Sequence, residues 1–166
     1  MTNIVEKAGK ENITMTTEIS RDEIFSISQI MGSRIDGELY GYIDRQAGEV
    51  LIGSDDNPVD ILPDEDDENY EVAMDEFESR YLEIPLNGSS EAYRDMSDFI
   101  ETVEDEKLKA LLEVSIQGRG AFGRFKEVLR RPEYEAEKAR WFTFSDVNQE
   151  ERVFKWLSEN QISLKA

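Results

Sequence analysis

The side chains available for chemistry are carboxylates, guanidinium groups, amines and hydroxyls, because this 166-residue chain contains no histidine and no cysteine. That composition removes histidine-activated serine or cysteine nucleophiles, HExxH-type sites and ordinary zinc centres. Any catalysis would rest on Asp or Glu, Lys, Tyr, Ser or an oxygen-bound metal. Acids are abundant, 38 Asp and Glu against 19 Lys and Arg for a net charge of −19, yet no acid pair stands out by its spacing. The pattern names no catalytic residue, metal ligand or cofactor. A carboxylate-metal-dependent hydrolase stays open only as an alternative motivated by the number of acids.

What does stand out is the distribution of charge. Residues 55–78 carry twelve acids and no base, whereas residues 119–140 hold seven bases against four acids. In the basic zone, Gly118-Arg119-Gly120-Ala121-Phe122-Gly123-Arg124-Phe125-Lys126 opens a segment in which Phe122, Phe125, Val128 and Leu129 recur at helical spacing. Pro132 should end that helix at Arg131. Arg119, Arg124, Lys126, Arg130 and Arg131 are candidate contacts for an anion or RNA, presented beside a glycine-rich helix start. The competing reading gives the glycines to a tight turn and close packing, with solvated bases. Neither the phosphate-loop nor the dinucleotide fingerprint matches, since no strand leads into the segment.

In the acidic zone, Asp64, Glu65, Asp66, Asp67 and Glu68 are either a solvated run or a contact for a basic partner, imitating nucleic acid. The calcium-loop pattern is absent. The function classes in play are therefore a soluble interaction or regulatory protein with an RNA or protein partner, a binder of basic proteins, and the hydrolase above.

The elements that must position these residues follow from periodicity. Residues 1–20 mix charges without a sustained period and read as a flexible lead-in. Arg21–Met31 reads as a short helix, with a strand as the alternative, stopped by Gly32 and Ser33. Gly37–Gly53 alternates aromatic and β-branched residues across an Arg45–Gly48 turn, an antiparallel hairpin. A loop over about 54–79, broken by Pro58 and Pro63, leads into a short helix around Val72–Phe77. Arg80–Pro85 reads as a strand.

Ser90 is the expected cap of a helix whose stripe is Ala92, Tyr93, Met96, Phe99, Ile100 and Val103. Asp105 should cap a second, with Leu108, Leu111, Leu112 and Ile116 inward, and Gly118 ending it. Beyond Glu133–Arg140, Trp141–Phe144 is either a strand or the entry to a last helix capped by Ser145 or Asp146. Its aromatics are core or stacking platforms for bases. Val147, Val153, Phe154 and Leu157 should line the inner face of that helix, with Asn160 ending it.

These elements predict an α+β fold: a small antiparallel sheet, hairpin plus one strand, packed against a C-terminal helical bundle within a single domain over 21–166. No apolar run approaches the roughly 18 residues of a membrane span, and the first twenty residues lack an apolar leader core. A cytoplasmic protein is expected, with no membrane partner.

The motifs RYLEIP, YRDMSDFIETV, GRGAFGRFKEVL, WFTFSD and WLSENQI resemble those of a bacterial group known as uncharacterised protein family 0158, over roughly residues 37–162. Tyr42, Asp44, Gly48, Glu49 and Val50 match its hairpin. Arg80, Tyr81, Ile84 and Pro85 match its strand. Gly118–Phe122 with Arg124, Phe125, Lys126, Val128 and Leu129 match its central segment. Gly123 stands where a base is common, and Arg45-Gln46-Ala47 replaces a more typical acid-and-Thr turn. The resemblance implies the fold and lends no catalytic residue and no cofactor.

Overall fold

A computed structural model describes residues 17–33 and 39–166. These residues form two compact units, one of residues 17–33, 39–86 and 152–166 and the other of residues 87–151. The fold is α+β, and its elements follow the sequence periodicity closely in most places.

In the first unit, β1 (Thr17–Ile19) pairs in parallel with β5 (Ile162–Leu164), Thr17 opposite Ile162. This strand occupies the end of the stretch expected as a lead-in, where Ile19 is fully buried; the rest of that stretch lies outside the described residues. Helix α1 (Glu23–Met31) buries Ile27, Ile30 and Met31 and stops at Gly32. Strands β2 (Tyr40–Asp44) and β3 (Glu49–Gly53) form the expected antiparallel hairpin. Strand β4 (Tyr81–Glu83) pairs along the other edge of β2, giving the order β3-β2-β4. Ile43 and Ile84 join α1 and Val153 and Leu157 of the C-terminal helix in one buried cluster.

The hairpin turn is closed by Gly48, whose φ of 69° is a left-handed conformation that a side chain resists. A Cβ there would also lie 2.3 Å from the Glu18 carbonyl, so the turn meets β1 backbone to backbone. Asp44, the last residue of β2, organises the same turn. Its Oδ1 accepts from the Gln46 and Ala47 amides at 3.0 and 3.2 Å. Arg80 donates to both oxygens, Nε to Oδ1 at 3.0 Å and Nη2 to Oδ2 at 2.8 Å. A two-pronged guanidinium–carboxylate pair is the strong form of this contact.

Arg80 is the last residue of helix α2 (Tyr70–Arg80) rather than the first of the strand. The helix therefore hands the chain directly to β4 at the point where Asp44 holds it. No residue of α2 is buried. It is held by Phe77, whose ring lies between Tyr42 at 5.8 Å and Tyr81 at 5.3 Å.

The second unit is helical. Helix α3 (Ser89–Glu101) starts after Gly88, in extended backbone, so Ser90 lies inside the first turn and is not the cap. Met96, Phe99 and Ile100 are buried as the stripe predicts, but Tyr93 is 47% exposed. Asp105 caps α4 (Glu106–Ser115) as expected, accepting from the Lys107 and Leu108 amides at 3.0 and 3.1 Å. Helix α5 (Ala121–Leu129) and a 3-10 turn (Pro132–Tyr134) follow.

The last helix, α6 (Glu135–Glu159), is continuous through Trp141–Phe144, and neither Ser145 nor Asp146 caps anything. No Gly or Pro interrupts this span, and a mid-helix Ser or Asp costs only tenths of a kcal/mol, about 0.5 relative to Ala. Trp141 is buried in the cluster of the second unit, and Val153 and Leu157 in that of the first, while Val147 and Phe154 are exposed. Residues from Arg152 onward belong to the first unit. Among the described residues no helix is long and apolar enough to cross a membrane.

The Asp44–Arg80 pair yields a pH-dependent prediction. Hydrogen bonds from Arg80, opposed by burial, hold the Asp44 carboxyl below its ordinary value of 3.8. A depressed folded-state pKa contributes stability that is complete above the unfolded value and is lost as pH falls through the folded one. Thermal melts should show Asp44→Asn destabilised at neutral pH, with the difference from wild type closing below about pH 3.8. A difference that stays constant down to acid pH would remove the pair from the account.

Candidate functional site

Helix α5 is the element that positions the basic zone. Burial of Phe125, Val128 and Leu129 fixes its orientation, and Phe125 sits against Trp141 at 4.7 Å and Phe99 at 6.2 Å between ring centres. A helix rotates about 100° per residue, so fixing that face turns Gly123, Arg124 and Glu127 outward, all three exposed. A Cβ at Gly123 would meet open space, so a base at that position would stand in solvent. The approach to α5 runs through Gly118 and Gly120, both with φ of 76°. Gly118 and Gly120 thus serve the turn, whereas Gly123, inside the helix, meets no close packing neighbour.

The five candidate cations do not act alike. Arg124 turns back onto the end of α4. Its Nε donates to the Ser115 carbonyl at 2.9 Å, and its Nη groups donate to the carbonyls of Arg119, Gln117 and Gly118. Helix ends leave carbonyls without intrahelical partners, and Arg124 answers that of Ser115, the last residue of α4, and those of the turn beyond it with a cation at the negative end of the helix dipole. Lys126 lies over the Phe122 ring, 4.2 Å from its centre. Arg130 pairs with Glu127 at 3.0 Å, both side chains being mostly exposed, a contact worth about 0–1 kcal/mol.

Arg119 and Arg131 are exposed, one before α5 and one after it. Arg140, at the end of the basic zone, is also committed. It pairs with Glu137 at 2.7 Å, donates to Thr102 Oγ1 at 2.7 Å and covers the Phe99 ring at 4.4 Å.

The aromatics beside Arg140 divide in the same way. Trp141 is buried and Phe144 packs against it, both in the core cluster with Phe99 and Phe125. They are core, not stacking platforms. Phe142 alone of the three points out, 52% exposed.

The acidic candidates Asp64, Glu65, Asp66, Asp67 and Glu68 are all exposed. Two of them shape their own loop, Asp64 Oδ1 accepting from the Asp66 amide and Asp67 Oδ1 from the Asn69 amide, each at 3.0 Å. Among the described residues no three acidic side chains come together in a metal-holding group.

Two features were missed by periodicity. The Asp44–Arg80 pair joins residues 36 positions apart; the signal available was that both belong to the recurring motif residues. Tyr93 sits on the apolar stripe yet is exposed, a position that a ring carrying a polar hydroxyl tolerates.

The chain belongs to the uncharacterised protein family UPF0158, whose model matches residues 24–166. No curated protein and no solved structure matches it.

The division among the arginines is open to a stability measurement. Arg124→Ala should cost about 1–2 kcal/mol in urea denaturation by stranding the Ser115 carbonyl and those of the turn after it, whereas Arg119→Ala and Arg131→Ala should each change stability by less than about 0.5 kcal/mol. Equal costs for all three would dissolve the distinction.

Proposed function

We propose that this protein is a non-catalytic interaction protein that contacts an anionic ligand, single-stranded RNA, through Arg119, Arg130 and Arg131, with Lys126 adding to the local positive field. The observation that carries the reading is the division just described: Arg124 and Arg140 hold the protein's own carbonyls, carboxylate and rings, while Arg119 and Arg131 stand exposed at the two ends of a helix locked by Phe125. Helix α5 is about 13 Å long, so cations at its ends reach different phosphates of one strand. The acidic residues of 54–79 repel the same ligand and so restrict where on the surface a strand can lie.

The second reading, a surface for a basic protein, draws on α2. None of its residues is buried, and Val72 stands 59% exposed among acids. A partner there would be basic and would bind regardless of changes at α5. The hydrolase alternative has no converging ligand set among the described residues to build on.

Binding of labelled single-stranded RNA between about 50 and 200 mM salt tests the first reading. Three phosphate contacts at about 0.7 each predict a log–log slope near −2, falling to about −0.7 in Arg119→Gln/Arg131→Gln. Absence of wild-type binding at low salt, or an unchanged slope in the double variant, would reject it. Arg124 is left intact in this comparison because its loss disturbs the end of α4.

A further inference from the structure

The first turns of α3 and the approach to α5 enclose an open groove of about 770 Å³. Tyr93, Met96 and Phe122 supply its apolar wall, Arg94 and Asp98 its charged groups, and Gly118 and Gly120 one rim. Tyr93 is the informative residue. Helical spacing places it with Met96 and Phe99, which are 2% and 0% exposed, yet it is itself 47% exposed and lines the groove. The second aromatic, Phe122, is half-buried there. Aromatic surface beside the Arg94 guanidinium matches a nucleotide, whose base stacks while its phosphate seeks a cation. The volume falls within the range of about 300–1,000 Å³ usual for small-molecule sites.

We infer that this groove takes one base of a single-stranded RNA, stacked on Tyr93, with Arg94 on an adjoining phosphate. The inference rests on the RNA reading above and sharpens it from a basic helix to a defined subsite. It assigns Tyr93 and Arg94, neither of them in the basic zone, to the same interface. Asp98, the one acid at the groove, is placed to accept from an amino or imino group on the base edge.

The test compares oligouridylate with the same strand carrying one abasic position, against wild type, Tyr93→Ala and Tyr93→Phe. Base–aromatic stacking predicts that Tyr93→Ala weakens binding of the intact strand about tenfold, that Tyr93→Phe stays within about twofold, and that the abasic strand loses the same factor and is indifferent to Tyr93→Ala. The salt slope should be unchanged in both Tyr93 variants, since no phosphate contact is removed. Tyr93 is half-exposed, and circular dichroism should show both variants folded.

Wild-type binding that is salt-sensitive and lost in Arg119→Gln/Arg131→Gln, but indifferent to Tyr93 and to the abasic position, would overturn the groove while leaving the basic-helix reading in place. No wild-type binding to either strand would overturn both. Competition by an acidic, aromatic peptide that depends on Tyr93 while RNA does not would also overturn the base subsite, and would place a protein partner there.

Discussion

The packing of Phe125 between Phe99 and Trp141 is the constraint on which the charged surface depends. All three rings are buried, Phe125 completely, with centres 4.7–6.2 Å apart. Burying such a ring contributes about 1.5–3 kcal/mol, with roughly 0.5–1.5 more for each well-placed aromatic pair. The Arg130–Glu127 ion pair, at the exposed end of α5, is worth only about 0–1 kcal/mol. The core therefore decides where the helix faces, and the cations take the positions that are left.

Those positions have been put to two uses. Arg124 and Arg140 are structural cations. One closes the carbonyl end of α4, and the other binds Glu137 and Thr102 and lies on Phe99. Arg119 and Arg131 lie exposed outside the helix. Counting bases along the sequence treats these alike, and the resulting patch is overestimated. In the first unit an arginine is again spent on structure, since Arg80 ties the end of α2 to Asp44 and so sets where β4 begins.

Most of the fold was legible because its elements are short and locally specified. Alternation over Tyr40–Asp44 and Glu49–Gly53 determines the hairpin, and Asp105 followed by Leu108, Leu112 and Ile116 determines α4 and its start. The misplaced caps share a cause. Ser90, Ser145 and Asp146 are good caps in isolation, but a cap forms only where the backbone leaves the helix, and tertiary packing carried α3 and α6 past those points. Strand β1 was missed because three residues hold too little pattern; its partner, Ile162, lies at the far end of the chain. At the candidate site, the positions of the cations were readable from helical spacing. The commitment of Arg124 was not, since it depends on where the α4 carbonyls fall after Gly118 turns the chain. The exposure of Tyr93 was equally hidden, because periodicity gives a face and not what covers it.

One short helix, oriented by a buried aromatic cluster, is flanked by exposed cations beside an aromatic groove, and that groove and those cations form the proposed site. Amide hydrogen exchange of the wild-type protein with and without oligouridylate addresses that claim most directly, because it reports location without any substitution. The account predicts slowed exchange in residues 89–98 and 118–131 on adding RNA, with residues 54–79 unchanged. Slowed exchange confined to residues 54–79, or none anywhere at low salt, would contradict it.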